Sequence, residues 1–390
     1  MRKAYILAAY RTPGCKAKRG KLKDVRPDDL AATVIKGLVE KSGVDAEKVE
    51  DVILGCAFPE GEQGMNVGRM AAMKAGLSYK IPGYTVNRWC SSGLQAIAIA
   101  SERIMAGFAD CIIAGGTESM TMVPMGGNKF SANPGLVGEW PESYTTMGVT
   151  AELVSEKYGI TRQMQDEFSL SSHRKAANAI DEGRFKDETI PVEIEKVSLV
   201  NGKVKKEKEI VDVDDGVRKD TSLEALLKLR PAFKLGGTVT AGNSSQMTDG
   251  AAAALVVSED FIKENGKKAI ARFVAFAVAG VPPEIMGIAP IEAIPAALKM
   301  AGLKQKDIGL IELNEAFAAQ SLAVINELKL NADILNVNGG AIALGHPLGC
   351  TGAKLTATLI SEMHKRDVKY GMVTMCIGGG MGAAGIFEKA

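Results

Sequence analysis

Short runs of β-branched and other apolar residues alternate along the chain with segments whose apolar positions recur every three to four residues. Those two periods belong to buried strands and amphipathic helices. They predict strands at 4–9, 52–54, 111–114, 253–257, 310–313 and 372–375, and helices at 28–42, 91–106, 148–158, 162–182, 290–301 and 315–328. Thr161 is placed to cap the helix that opens towards Asp166 and Glu167, and Ser91 or Ser92 to cap the one after Cys90. Strands and helices in alternation imply a layered α/β fold.

Two stretches share one plan. Residues 51–120 read as strand, glycine-rich loop, helix, Val86-Asn87, a sharp turn, a long helix, a strand and Gly115-Gly116. Residues 308–384 read as strand, Asn-Glu loop, helix, Val337-Asn338-Gly339-Gly340, a glycine-rich turn, a helix, a strand and Gly378-Gly379-Gly380. The expectation is two related βαβ-type halves with a site at their seam, where strand ends converge. Residues 1–118 with 238–262 would form the first half and 263–390 the second. Residues 119–237 differ in texture: 121–147 is rich in Met, Gly, Pro and Asn, and 185–222 is highly charged. They are expected to form an inserted loop subdomain that covers a ligand site.

Composition narrows the function classes. The 390 residues are 46% hydrophobic and 24% charged, with a formal net charge of +1, as in an ordinary globular protein with a large core. That balance argues against a nucleic-acid or membrane-surface partner, which usually demands a basic excess. The basic runs at Lys16, Lys18, Arg19, Lys21 and Lys23 and at Lys203, Lys205, Lys206 and Lys208 are expected to be solvated surface. Met1-Arg2-Lys3 leads straight into a short apolar run that suits a first strand better than a targeting signal. The six cysteines are scattered, with no CxxC pair. That pattern disfavours a disulfide framework or a metal cluster and fits a reducing, cytoplasmic setting.

Three residues stand in settings that suit chemistry. Cys90, in Asn87-Arg88-Trp89-Cys90-Ser91-Ser92-Gly93, opens a helix whose macrodipole and free amides favour thiolate; a small core thiol remains the alternative. His346, in Gly345-His346-Pro347-Leu348-Gly349, is enclosed by residues that hold the backbone open, against the alternative of a turn histidine satisfied by a carbonyl. The other two histidines, His173 and His364, lie in charged helical stretches and are expected at the surface. Cys376 ends a strand before Gly378-Gly379-Gly380, which could present a nest of backbone N–H groups; a buried strand thiol before a bend is the plainer reading. Asn314 lies at another strand end, either as a polarising group or as a helix cap. Cys56 and Cys111 read as core. No dinucleotide fingerprint, phosphate-binding lysine loop or HExxH motif is present.

Seven segments in this order resemble the thiolase family over essentially the whole chain: Val86-Asn87-Arg88-Trp89-Cys90-Ser91-Ser92-Gly93, Gly115-Gly116-Thr117-Glu118-Ser119-Met120, Lys228-Leu229-Arg230-Pro231-Ala232-Phe233, 238–245, Asn314-Glu315-Ala316-Phe317, 339–347 and 376–382. The resemblance implies an acyl-CoA C-acyltransferase with no cofactor, CoA and acyl-CoA as its substrates, and an α/β/α/β/α arrangement. It implies that Cys90 is the nucleophile, His346 its base, and Cys376 the group that moves a proton at the α-carbon. It implies one oxyanion site from His346 and a water held by Asn314, and another from the backbone N–H groups of Cys90 and Gly378. CoA contacts would fall on Arg218 and Ser245, with Phe233 and Met147 near the pantetheine or acyl end. Cys350 departs from the family's pattern, in which Ala or Ser is expected. A homodimer or homotetramer is implied as well.

Within the family, the sequence around Cys90 and the short stretch from Gly116 to Met147-Gly148 resemble the degradative 3-ketoacyl-CoA thiolases more than the acetoacetyl-CoA-specific biosynthetic type. A decarboxylating ketoacyl synthase would be expected to carry histidine at position 376.

Overall fold

The computed structural model describes residues 2–200 and 203–390, with side chains left undescribed at 198–200 and 203. Met1 therefore lies outside the described residues, as does the side chain of Lys203 in the second basic run. Among the described residues twelve strands are formed: β1 (Ala4–Arg11), β2 (Cys15–Lys16), β3 (Asp51–Gly55), β4 (Gly83–Val86), β5 (Cys111–Ser119), β6 (Val192–Val200), β7 (Lys203–Val211), β8 (Thr248–Ser258), β9 (Ala271–Gly280), β10 (Leu310–Leu313), β11 (Tyr370–Ile377) and β12 (Met381–Lys389). β6 and β7 pair only with each other; the rest make one ten-stranded mixed sheet.

The strand order exposes an internal symmetry. From the middle outward, β1, β8, β5, β3 and β4 run on one side, with the first two pairings antiparallel and the last two parallel. On the other side β9, β12, β11 and β10 follow the same sense of pairing, and a parallel bridge from Ile311 to Leu335 stands where β4 would be. Only Tyr5–Arg272 and Ile6–Ala271 join β1 to β9.

The helices Ser92–Met105 and Leu348–Lys365 lie between the two halves, and one apolar cluster runs through both. Leu94, Ile97 and Ile104 of the first, with Leu359, Ile360 and Met363 of the second, are packed against Ile112, Val256, Val373 and Phe387 of the sheet. Each such side chain contributes about 1.5–3 kcal/mol when fully buried. Pro27–Ser42 covers the outer face of the first half and Pro290–Ala301 that of the second. The result is the layered α/β fold that the hydrophobic pattern implies, in the α/β/α/β/α arrangement that the family resemblance implies.

The two central helices touch at glycines. A Cβ on Gly93 would lie 2.8 Å from the Ala353 nitrogen and 2.9 Å from the Gly349 oxygen, and one on Gly352 would strike Leu94. A methyl at either point forces the helices apart, at about 1–3 kcal/mol for overpacking. The contact brings the first turns of both helices together, and with them the residues that precede each.

Two local expectations change. The helix after Asn314 starts at Ala318 and not at 315, because 314–317 is extended and pairs with 243–245: Ser245 donates its N–H to the Ala316 oxygen (2.9 Å), and Ser244 bridges Phe317. Neither Ser91 nor Ser92 caps its helix; the Ser92 hydroxyl donates to the Trp89 oxygen (2.7 Å) and accepts the Arg88 N–H (2.8 Å), closing the turn before the helix. Thr161 does cap its helix, accepting the Met164 N–H. In the middle segment, 121–147 holds a short helix, Pro134–Glu139, and exposes Phe130 and Trp140. Among the described residues no helix is long and apolar enough to cross a membrane.

Candidate active site

Cys90 sits on the tight turn Trp89–Ser91, with Trp89 in the left-handed region at φ +41°. A bulky residue in that region is strained and persists only where its surroundings enforce it. Trp89 Nα donates to Asn87 Oδ1 (2.8 Å), while Asn87 Nδ2 donates to the Ala57 oxygen (3.0 Å). The turn is thus fastened to the loop that follows β3. Cys90 is 8% exposed, and its side chain packs with Ala57, Met120 and Leu348. Burial pushes its thiol up to about 12; the backbone N–H groups of Gly378 and of Cys90 itself act in the opposite direction. Burial thus opposes the thiolate that the helix end and the backbone amides favour. Those two N–H groups nevertheless converge on the sulfur from β11's end and from the Cys90 turn.

His346 is buried, and its surroundings decide its tautomer. Thr351 Oγ1 donates to the Pro347 oxygen (3.1 Å) and lies 2.6 Å from His346 Nδ1. With its own hydrogen committed, the hydroxyl accepts from Nδ1–H, which leaves Nε2 as the unprotonated, accepting nitrogen. Asn314 Nδ2 donates to that Nε2 (3.3 Å). Burial, reinforced by the Lys354 charge, lowers the imidazole to about 3, so the ring is neutral. A neutral imidazole with a bare Nε2 is a proton acceptor.

Cys376 is wholly buried near the end of β11, beside Ala151, Met286, Ala316 and Phe317, with Met147 against the cluster. Burial first, and the neighbouring Cys90 sulfur second, push its thiol well up, so it rests protonated. The structure thus gathers Cys90, His346, Asn314, Cys376 and the Gly378 N–H at the seam of the two halves. Asn314 is not a helix cap; its Oδ1 is buried without a protein partner.

Among the peripheral candidates, Phe233 stacks edge-on with Phe317 (6.0 Å between centroids) and closes over Gly148, whose missing side chain makes room for the ring. Ser245 is half-buried on the segment paired with Ala316, and Met147 lies beside Gly378. Arg218 is exposed, and its backbone N–H donates to His173 Nδ1 (3.2 Å). That contact corrects one expectation: His173 is 4% exposed, not a surface residue, and burial with Arg218 and Lys16 nearby lowers it to about 4. Its helix is polar in composition, but this face is turned inward. His364 is exposed as expected.

Two buried carboxylates belong to the site and carried no chemical signal in the sequence. Glu118 accepts from the backbone N–H groups of Ala57 (2.7 Å), Phe58 (3.3 Å) and Gly349 (2.8 Å) and from Gln63. It ties the loop beneath Cys90 to the start of the helix after His346. Glu315 accepts from Ser172 Oγ (2.6 Å), Asn336 Nδ2 (2.8 Å) and the Ile342 N–H (3.2 Å), and fills the space beside Gly340. It fixes the glycine-rich loop that carries His346. Among the described residues no group of three or more His, Cys, Asp or Glu side chains is arranged for a metal.

The chain matches the family models "Thiolase, N-terminal domain" over residues 4–260 and "Thiolase, C-terminal domain" over 267–389. It is 54% identical over 389 residues to a protein of Bacillus subtilis (strain 168) named 3-ketoacyl-CoA thiolase, with all of both chains covered. It is 49% identical to 3-ketoacyl-CoA thiolase 2, peroxisomal, of Arabidopsis thaliana, over 98% of this chain and 83% of that one. The crystal structure of the Bacillus anthracis acetyl-CoA acetyltransferase superposes with a TM-score of 0.91 at 39% identity, covering 100% of this chain and 99% of that one. Two family models that between them span nearly every residue, with full-length relatives far above chance identity, mean that the chain belongs to the thiolase family.

Proposed function

We propose that the chain catalyses thiolytic cleavage of 3-ketoacyl-CoA to acetyl-CoA and a shortened acyl-CoA, through an acyl group carried on Cys90. The observation that carries this reading is the meeting, in one buried seam, of two thiols, a neutral imidazole with an unprotonated Nε2 and a pair of backbone N–H groups.

The Cys90 thiol passes its proton to His346 Nε2 as the sulfur attacks the 3-keto carbon. The new alkoxide lies against the N–H groups of Cys90 and Gly378, which already point at the sulfur; preorganised donors of this kind stabilise charge as it forms. The bond between the α- and β-carbons then breaks, leaving the acyl group on Cys90 and an acetyl-CoA enolate. His346 Nε2–H, and a water held by the otherwise unpartnered Asn314 Oδ1, receive the enolate oxygen. Cys376 delivers its proton to the α-carbon, and acetyl-CoA leaves. An incoming CoA thiol gives its proton to Cys376 and attacks the acyl-Cys90 thioester; the Cys90 sulfur leaves and recovers its proton from His346. One thiol must hold the acyl chain while the other moves protons. We assign Ser245, Arg218, Phe233 and Met147 to the CoA and acyl arms.

The relatives named 3-ketoacyl-CoA thiolase favour a degradative enzyme that accepts longer chains over one restricted to acetoacetyl-CoA. A series of kcat/KM values against 3-ketoacyl-CoA chain length tests this. Rates are expected to hold or rise beyond the four-carbon substrate, and a sharp fall after acetoacetyl-CoA would overturn the choice. Specificity of this sort turns on about 1–3 kcal/mol per methylene.

A homo-oligomer belongs to the same reading. The outer edge of β4 pairs with no strand among the described residues, with Tyr79 and Met65 exposed nearby, and an unpaired edge is a ready surface for a second copy. Light scattering on the purified protein should return a mass of two or four chains; a monomer at micromolar concentration would exclude the assembly.

A further inference from the structure

Lys354 stands on the helix after His346 and is as deeply buried as the core around it. Its ammonium donates to the Leu344 oxygen (2.7 Å) and the Gly345 oxygen (3.3 Å). No carboxylate lies within ion-pair distance of it among the described residues, since Arg11 takes both neighbours. Arg11 donates Nε to Glu188 (2.8 Å) and both terminal nitrogens to Asp214 (2.9 Å each). A buried cation that ends on carbonyls alone is a costly arrangement, and an apolar side chain of like volume would spare the chain its desolvation. Local rules are broken in this way chiefly where function requires it.

The carbonyls it holds are those just before the catalytic base. The Gly345–His346 peptide is gripped at both ends: its oxygen by Lys354, and its N–H by the Gln246 oxygen (3.0 Å) and Thr248 Oγ1 (3.1 Å). Gly345 has φ +82° and is pressed against the Thr248 side chain, so this backbone has little room to shift. We propose that Lys354 is a positioning residue for the reaction, clamping the peptide that aims His346 and setting a positive charge behind its ring. The proposal rests on His346 being the base for Cys90.

The charge acts in the same direction as the clamp. Lys354 disfavours the imidazolium, which keeps Nε2 bare before the substrate arrives and returns the proton promptly afterwards. The groups facing this region are Arg11 from β1, Glu188 before β6, Asp214 after β7, Glu312 from β10, and Cys350 on the same helix. Asp214 and Glu188 are ion-paired with Arg11, and burial pushes Glu312 well up. Burial lowers the Lys354 ammonium, with Asp214 acting the other way, and among these groups it is the Lys354 charge that bears on His346. Removing it should raise the imidazole's pKa, so that activity falls off at higher pH than before as the solution is acidified.

The test compares Lys354→Met, Lys354→Gln and Lys354→Arg in thiolysis and in iodoacetamide alkylation of Cys90 between about pH 4 and 9. The two neutral variants should lose about 100-fold in kcat with KM for acyl-CoA within about twofold, since Lys354 touches no substrate. Their alkylation should also decline at higher pH than in the parent, while the arginine variant keeps the parent's profile. Should Lys354→Met fail to fold, Lys354→Gln carries the same expectation, and a displaced profile in Lys354→Arg counts against the proposal. Wild-type kcat in either neutral variant, or KM rising in step with the loss, would overturn it. His346→Ala separates the two levels: an inactive His346→Ala beside an unaffected Lys354→Met removes only the clamp, whereas an active His346→Ala removes the site reading itself.

Discussion

Cys90→Ser is expected to lower thiolysis of a 3-ketoacyl-CoA by about four orders of magnitude or more while leaving the fold intact, a loss on the scale of removing other enzymic nucleophiles. The fold should tolerate the change because the oxygen is smaller than the sulfur and the side chain sits in a pocket made by Ala57, Met120 and Leu348. The chemistry should not. A hydroxyl is far less acidic than a thiol, and His346 is a weak base, held near 3 by burial and by Lys354. It can take a proton from sulfur only because the N–H groups of Gly378 and Cys90 support the developing charge. The variant should neither turn over nor show the acyl adduct that mass spectrometry detects on the parent. Full activity in Cys90→Ser would sink the mechanism.

Cys376→Ala should separate the two halves of the reaction. Burial and the nearby Cys90 sulfur keep the Cys376 thiol protonated, which suits it to protonate an enolate and, in reverse, makes it the acceptor of an α-proton. Alanine removes the proton carrier but leaves Cys90, His346 and Gly378 in place. Exchange of the acetyl-CoA methyl hydrogens with deuterated solvent should therefore fall by about 10³-fold, within the range for loss of a general acid–base group. Acyl transfer onto Cys90 should survive weakly. Proton NMR of acetyl-CoA in deuterium oxide reads the first quantity, and exchange at the parent rate would remove Cys376 from its assigned role.

Much of the fold was legible because its strands obey their period. β3, β10 and the start of β5 are β-branched and apolar, and stand out at once. β9 and β12 are rich in alanine and glycine, as are much of β8 and the later part of β5. Small residues carry little strand propensity, and they are used here because the central helices approach the sheet so closely. The site divides along a similar line. Cys90, His346 and Cys376 could be singled out because each is a reactive type beside glycine. Glu118, Glu315 and Lys354 could not, since their work is to satisfy backbone groups brought in from distant parts of the chain. The available signal was weak: an ionisable residue in a run otherwise small or apolar, as in Gly352-Ala353-Lys354-Leu355. His173 misled for the opposite reason, its polar neighbours in sequence masking one inward face.

The glycine contact between the central helices also bears on the chain while it is being made. Cys90 leaves the ribosome early, whereas His346, Cys376 and the Gly378 amide follow only near the end. Until Gly352 docks against Leu94, the groups proposed to act on the Cys90 thiol are not yet beside it. In the growing polypeptide Cys90 is an ordinary cysteine without the burial it has in the finished fold, and the pairing proposed for it with His346 can exist only once the last helix is in place.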